Sequence, residues 1–473
     1  MRRFPALMAL IVLALFPAGA LAHAQLVRST PQAESAGNAS PATVRMEFTE
    51  PVTLLKAADV EVVNRRGESV AAGAARVTPG DVKAVEIPVR PGLPDGTYTV
   101  RYRVVSADSH VIPGAYPFAV GDGPVGPPFL GGPTSTGPGM TSPWLVTARF
   151  LELVGLGGLL GLTAFRWLVW RPAWGSRWVA GIADDARAAG LEWGRDAYWT
   201  AFGALAVGSM VAETYLLVTY SASALGTSVA DALTNTSGIS TVLSTTRLGA
   251  LVQVRGALLF ALFAVGIWAF LSEFGSGQQS RPATATPPRA PAALMAALVV
   301  AVLYGIAAQG HASQAPVAPA QIAADLGHMC AGAVWGAGLV AALAAMRRLP
   351  ARMPSAGARA STAVLAAFSR VALWAIVAIV LTGVVRTLGE IDAVDDLWRT
   401  TWGKVLVAKV AVLGLAGLPA LHNRRVVATL ERRGTTSAVG LARVRRAVLV
   451  EIAASLAIVA LAALLVAEVP GRL

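Results

Sequence analysis

Charged side chains are scarce in this sequence. Asp, Glu, Lys and Arg make up 14% of its 473 residues, and 55% are hydrophobic, whereas globular proteins carry about 25% charged residues. This deficit excludes an ordinary soluble protein and predicts a membrane protein. The net charge of +12 does not indicate a nucleic-acid-binding protein, because the arginines fall mostly in short loops between apolar runs rather than on one soluble face.

Cysteine is nearly absent. Cys330 is the only one, which excludes an intrachain disulfide bond and a zinc site built from several cysteines. The sequence also lacks a Gly-Lys-Ser/Thr phosphate-binding loop and an Asp-Lys-Thr-Gly phosphorylation motif, so ATP-driven pumping is disfavoured. Histidine is rare as well, with five in the chain, and the positions of these five are therefore informative.

Residues 1–22 are typical of a signal peptide. Arg2 and Arg3 precede an apolar stretch, 6–16, and Ala20-Leu21-Ala22 is a small-x-small cleavage site. An uncleaved anchor helix is the alternative, but the apolar stretch is too short to span a bilayer comfortably. Cleavage after Ala22 would make His23 the first residue of the mature chain.

Residues 23–121 predict an all-β sandwich. Apolar and polar residues alternate in 44–48, 60–62 and 98–104, as in strands with one buried face. Turn signals separate such runs, at Arg66-Gly67, Pro79-Gly80 and Asp95-Gly96. Residues 122–142 are dominated by Gly, Pro, Ser and Thr, which indicates a semi-rigid linker.

Residues 143–473 predict an all-α polytopic membrane bundle. The region contains eight apolar runs, each near the ~20 residues that a helix needs to cross a bilayer. The predicted spans are 145–169, 199–220, 249–271, 292–310, 323–345, 369–388, 404–421 and 447–467. The loops after spans 1, 3, 5 and 7 hold most of the arginines, so the positive-inside rule places these loops in the cytoplasm and the β-domain outside the cell (inner) membrane.

Two features of the β-domain suit a Cu(II) site. A processed N-terminal His23 offers its α-amine and a ring nitrogen to one metal ion, and nitrogen ligands in a tetragonal arrangement suit Cu(II). Asp108 and His110 are two residues apart, so on an extended strand both side chains face the same way. Each feature also has a simpler explanation. A histidine at a cleavage site can occur by chance, and an Asp-x-His sequence on a strand is usually a pair of exposed surface residues without a ligand.

The β-domain resembles the CopC family of periplasmic copper-binding proteins, which have a small Ig-like β-fold. The resemblance covers 23–121 and is carried by six stretches: His23-Ala24-Gln25-Leu26, Ser29-Thr30-Pro31, Phe48-Thr49-Glu50-Pro51-Val52, Gly96-Thr97-Tyr98, 102–110 and Gly114-Ala115-Tyr116-Pro117-Phe118. It implies that His23, Asp108 and His110 are the Cu(II) ligands, with the α-amine of His23 as the fourth donor. Met46 is the only methionine in the domain, so a second, thioether-based site is not expected.

The membrane region holds two histidines at the outer ends of its spans. His311 closes span 4, and His328 opens span 5 together with Asp325, which shares its helical face. Met329 and Cys330 add soft sulfur, which suits Cu(I). We predict a copper site at His311 and His328, while a polar cluster without metal and a haem held by paired histidines remain alternatives. His422 is expected among headgroups at the cytoplasmic side.

The membrane region also resembles the CopD family of copper-resistance membrane proteins. The matching stretches are Asp325-Leu326-Gly327-His328, Trp335-Gly336-Ala337-Gly338, Phe368-Ser369-Arg370, Thr382-Gly383, 402–409, His422-Asn423 and 445–451. The resemblance implies copper transfer at the inner membrane, conventionally into the cytoplasm. It favours a copper-binding and copper-transporting protein rather than an enzyme, with copper and the lipid bilayer as partners.

Other readings stay open from the sequence alone. An N-terminal histidine chelate on copper also occurs in polysaccharide oxidases, although this domain is small and lacks an evident aromatic binding face. A haem-binding or electron-transfer membrane protein is the other class. A copper chaperone or an oxidase-assembly protein could receive the copper, and the direction of transport is not fixed by these residues.

Overall fold

The computed structural model describes residues 24–107, 109–131, 142–274, 289–309, 317–391, 393–433 and 438–467. Nine strands precede the helices in the described residues: β1 Leu26–Thr30, β2 Ala36–Gly37, β3 Thr43–Phe48, β4 Val52–Thr53, β5 Val60–Asn64, β6 Arg76–Thr78, β7 Asp81–Pro88, β8 Gly96–Ser106 and β9 Val111–Val120. The helices are α1 Pro143–Trp174, α2 Asp184–Leu225, α3 Val229–Thr234, α4 Thr236–Thr245, α5 Arg247–Phe274, α6 Arg289–Ala307, α7 Ala318–Arg352, α8 Gly357–Glu390, α9 Asp396–Arg399, α10 Thr401–Arg433 and α11 Ala438–Ala467.

The strands form the predicted β-sandwich. One sheet has the order β1-β3-β7-β6, and the other has the order β2-β9-β8-β4 with β5 also paired to β8. The alternation in β3 explains the packing, because Val44, Met46 and Phe48 point into the core while the residues between them are partly exposed. Strands β8 and β9 form the long antiparallel hairpin that carries His110 in its turn.

The membrane region contains eight helices that are long and apolar enough to span a bilayer in the described part of the chain, which confirms the predicted number. Several helices extend well past the predicted apolar runs. Helix α2 covers 42 residues where the sequence predicts 199–220, because its first turns are polar, with Asp184 and Asp185, and precede the apolar run. A hydropathy pattern marks the apolar part of a helix, but it does not mark the polar turns that extend the helix beyond that part.

The β-domain rests on the outer end of α2. The guanidinium of Arg103 donates to the Ser223 carbonyl at 3.0 Å, and the Lys56 ammonium donates to the Leu225 carbonyl, also at 3.0 Å. The last carbonyls of a helix lack partners within the helix, and cations are favoured at this negative end of its dipole. An apolar contact joins Val105 of β8 to Tyr220 and Leu225 of α2 beside these bonds.

The charged groups of this contact are partly removed from water. Burial lowers the pKa of Arg103, and the neighbouring Asp59 partly offsets that effect. Burial in turn raises the pKa of the Asp59 carboxyl, although this side chain accepts hydrogen bonds from the amides of Leu55 and Lys56. The Arg103 contact is therefore desolvated, so it holds the β-domain on the bundle more firmly than an exposed ion pair would.

Replacing Arg103 with Met should loosen this attachment. Hydrogen bonds from charged groups contribute about 1.5–3 kcal/mol, so we expect amide exchange at the outer end of α2 to accelerate about tenfold or more. Hydrogen–deuterium exchange on the full chain measures this. The control is Arg66→Met, because Arg66 is exposed and contacts Glu68 within its own turn. Unchanged exchange in the Arg103 variant would show that the carbonyl contacts do not hold the domain.

Candidate metal centre

His110 lies in the turn between β8 and β9. Ser109 before it is buried and has a positive φ of 72°, and the Ser106 amide donates to the His110 carbonyl at 2.9 Å. Ala107, Ser109 and His110 belong to this turn rather than to a strand, while Asp108 lies outside the described residues, so the expected shared face of Asp108 and His110 stays a prediction. The turn places His110 at the end of the hairpin that faces the membrane bundle.

A carbonyl of the last helix fixes the tautomer of His110. The Nε2 atom lies 3.1 Å from the Val466 carbonyl oxygen of α11. Since a carbonyl only accepts, Nε2 must carry the proton and donate it. In this arrangement the nitrogen that can bind a metal ion is Nδ1, since a histidine ligand is oriented by the hydrogen bond of its other nitrogen.

Three of the five predicted ligands, His23, Asp108 and His311, lie outside the described residues, as do the predicted signal peptide and residues 132–141 of the linker. Ala24, which follows His23, is buried. The Gln25 amide donates to the Thr49 hydroxyl at 2.9 Å. Ala24 and Gln25 border the same cavity as His110, so the start of the described chain and the hairpin turn face one space.

That cavity has a volume of about 1950 Å³ and continues from the β-domain into the helical bundle. Its outer part is bordered by Ala24 and His110, and its middle part by His328. Its far part reaches Trp170 and Trp193, which lie on the sides of α1 and α2 that the arginine distribution places toward the cytoplasm. Most of the lining is apolar, so the polar side chains that face it stand out.

His328 of α7 faces the cavity with a defined tautomer. Its Nδ1 lies 3.1 Å from the Thr382 hydroxyl of α8, and that hydroxyl donates its own proton to the Ala378 carbonyl at 2.5 Å. Because the hydroxyl proton is already used, Nδ1 must donate to the Thr382 oxygen, and Nε2 keeps a lone pair for a metal ion. Gly383 leaves room for the ring, since a Cβ there would lie 3.3 Å from Cε1 of His328.

Asp325 lies near His328, as the i, i+3 spacing predicts, but its carboxylate already forms an ion pair with an arginine. Arg386 of α8 lies 3.0 Å from Asp325 and 3.4 Å from Glu390. Lys409 of α10 borders the same part of the cavity. Asp325 therefore neutralises a partly buried arginine, and a role as metal ligand would require this pair to open.

Sequence reasoning missed the partners of His328. Thr382, Gly383 and Lys409 entered only through the family resemblance, and Arg386 and Glu390 were not singled out. Arg386 and Lys409 carried a usable signal, since a charged residue inside an apolar span usually faces the bundle interior and has a function. No sequence signal indicated the hydrogen bond from His328 to Thr382, because the two residues are 54 positions apart.

Other sequence candidates occupy different places. Met329 and Cys330 pack partly buried against the apolar cluster that also includes Met210, and His422 is exposed. Within the described ranges, no group of three or more His, Cys, Asp or Glu side chains is arranged to hold a metal ion. The predicted metal site of the outer domain includes His23 and Asp108, which lie outside these ranges.

The comparisons with known proteins match both regions. The family model of the CopC domain matches residues 26–121, and that of copper resistance protein D matches 362–465. Copper resistance protein C of Escherichia coli is 41% identical over 106 residues, which cover 21% of this chain and 83% of that protein. Copper transport protein CutJ of Bacillus subtilis is 30% identical over 112 residues, 24% of this chain and 20% of that protein.

A solved structure matches the outer domain. The crystal structure of PcoC, a methionine-rich copper resistance protein from Escherichia coli, is 37% identical and covers 21% of this chain and 100% of its own, with a TM-score of 0.18. The two family models together indicate copper resistance or transport in a multi-pass membrane protein.

The Thr382→Val substitution should release the tautomer of His328. Valine keeps the volume of threonine but removes the oxygen that accepts from Nδ1, so we expect the protonated Nδ1 signal of His328 to weaken and Nε2 to become partly protonated. Nitrogen-15 solid-state NMR on histidine-labelled protein measures this. Thr387→Val is the matched control, because that hydroxyl donates to the Gly383 carbonyl on the same helix. An identical spectrum for Thr382→Val would refute the assignment.

Proposed function

Since the chain belongs to the CopC family through its outer domain and continues into a CopD domain, we propose that it captures Cu(II) outside the membrane and passes copper inward. His23, Asp108 and His110 bind the ion, with the α-amine of His23 as fourth donor. His328 receives copper in the bundle, and His311 assists at the outer end of the predicted span 4. The protein resides in the inner membrane and serves copper import and homeostasis.

The continuous cavity is the observation that supports this proposal most. His110 and His328 border one space, so a copper ion that leaves His110 enters the space onto which His328 opens. The contacts between the β-domain and α2 also support the proposed transfer. A β-domain that is held on the bundle can deliver its copper ion without a large movement. Both histidines also present a defined nitrogen to the cavity.

Replacing His328 with Gln tests the membrane half of the proposal. Glutamine keeps a polar side chain of similar reach but removes the imidazole ligand, so we expect copper accumulation by cells to fall to the level of cells without the protein. The control is His422→Gln, because His422 is exposed, and its accumulation should match the wild type. Equal accumulation in the His328 variant and the wild type would contradict a role of the bundle in copper passage.

Inserting one Gly between Ala22 and His23 tests the outer half. The processed chain would then begin with Gly, so the amine and the imidazole of His23 could no longer chelate one ion as a terminal pair. We expect the full-length protein to lose the Cu(II) signal with several nitrogen ligands in electron paramagnetic resonance. Mass spectrometry must first find the wild-type chain beginning at His23. An unchanged copper spectrum in the insertion variant would rule out the amine ligand.

A further inference from the structure

Arg247 opens helix α5 at the outer side of the membrane region. Its Nη1 atom donates to the Ala107 carbonyl at 3.4 Å, and its Nη2 atom donates to the Ala308 carbonyl at 2.7 Å. Ala107 begins the β8–β9 turn that carries His110, and Ala308 directly follows α6. One guanidinium therefore joins the outer domain to the outer end of α6, and the copper proposal does not use it.

An arginine is an unusual residue at this place in a helix. The free amide groups of the first turn create a positive potential, which disfavours a cation. The first turn of α5 contains no acidic residue that would offset this potential, and its Gly249 amide already donates to the Thr246 hydroxyl at 3.0 Å. The helix itself therefore does not require Arg247, and the two carbonyls outside the helix account for its position.

The outer end of α6 is a fixed part of the bundle. Arg255, about two turns farther along α5, donates to the side-chain carbonyl of Gln309 at 3.1 Å. Arg255 is completely buried, and Glu152 and Glu213 each lie 3.2 Å from its guanidinium. Breaking such a buried ion pair is costly. Gln309 is therefore held firmly, and Ala308 beside it is a stable point of attachment for the first arginine of α5.

The bond to Ala107 matters because of its place in the β8–β9 turn. On one side of the turn, the His110 imidazole donates to the Val466 carbonyl of α11 at 3.1 Å. On the other side, Arg247 holds Ala107. Within the turn, the Ser106 amide donates to the His110 carbonyl at 2.9 Å. Because His110 borders the cavity, the two attachments together determine how its ring is presented to that space.

We propose that Arg247 is a positioning residue for copper transfer. It holds the β8–β9 turn against the outer end of α6, so that an ion released by His110 enters the cavity rather than the surrounding water. Arg247 is not a copper ligand, because a guanidinium only donates. Its planar group offers N–H donors in a fixed fork, so it bonds carbonyls of two different segments at once. The role in transfer rests on the proposed function, whereas the attachment of the turn does not.

Arg247→Gln tests the attachment. The shorter, neutral side chain cannot reach both carbonyls, so we expect the Ser106 and Ser109 amides, which close the turn, to exchange about threefold faster or more in the full-length protein. Exchange in β3 and β7 should not change. Arg399→Gln is the matched control, because Arg399 is an exposed arginine of the outer side that pairs with Asp395, four residues before it. Unchanged exchange in the turn, or faster exchange throughout the sandwich, would overturn the attachment.

The rate of copper uptake at increasing copper concentrations tests the role in transfer. We expect Arg247→Gln to lower the maximal rate about threefold or more, because transfer depends on the placement of the ion. The half-saturating copper concentration and the Cu(II) paramagnetic resonance spectrum should stay the same, since the outer ligands are intact.

The outcomes separate this role from the proposed function. An unchanged maximal rate in Arg247→Gln refutes the role in transfer, and a changed Cu(II) spectrum assigns Arg247 to copper capture instead. If cells with wild-type protein take up no additional copper, the proposed function fails and the role in transfer fails with it. Amide exchange still decides in that case whether Arg247 holds the turn.

Discussion

A carboxylate or guanidinium inside the hydrocarbon region has no water to bond, so it must find its partner on a neighbouring helix. The bundle meets this constraint in separate places. Arg255 joins α5 to α1 and α2 through Glu152 and Glu213, and Arg386 joins α8 to α7 through Asp325. Such pairs add little net stability over apolar packing, but breaking one is costly. They therefore fix which helices are neighbours and which side chains face the cavity.

The same constraint explains how the outer domain is held. The last carbonyls of α2 would be unsatisfied under a protein surface, and Arg103 and Lys56 supply donors to them. The bonds place the β8–β9 turn over the bundle, where the Val466 carbonyl accepts from His110. The position of the outer histidine is thus set by contacts with the membrane helices as well as by the sandwich itself.

The coarse architecture could be predicted from the sequence because it depends on local patterns. Alternation in 44–48 is enough for a strand with one buried face, and about 20 apolar residues are enough for a span. The turn at Ser109 could not be predicted, because its positive φ follows from hydrogen bonds between Ser106 and His110. The pairing of Glu213 with Arg255 could not be predicted either, because the two residues are 42 positions apart and meet only through helix packing.

Each group of charges inside the bundle is balanced within itself. Arg149 and Arg255 face Glu152 and Glu213 in one group. Asp325 and Glu390 carry two negative charges near His328, and Arg386 and Lys409 carry two positive ones, so this region is neutral without copper. A copper ion on His328 therefore adds an uncompensated charge to a largely apolar cavity, which is unfavourable at low dielectric. Passage of copper along this cavity, as proposed, therefore requires that the added charge be compensated while the ion is bound.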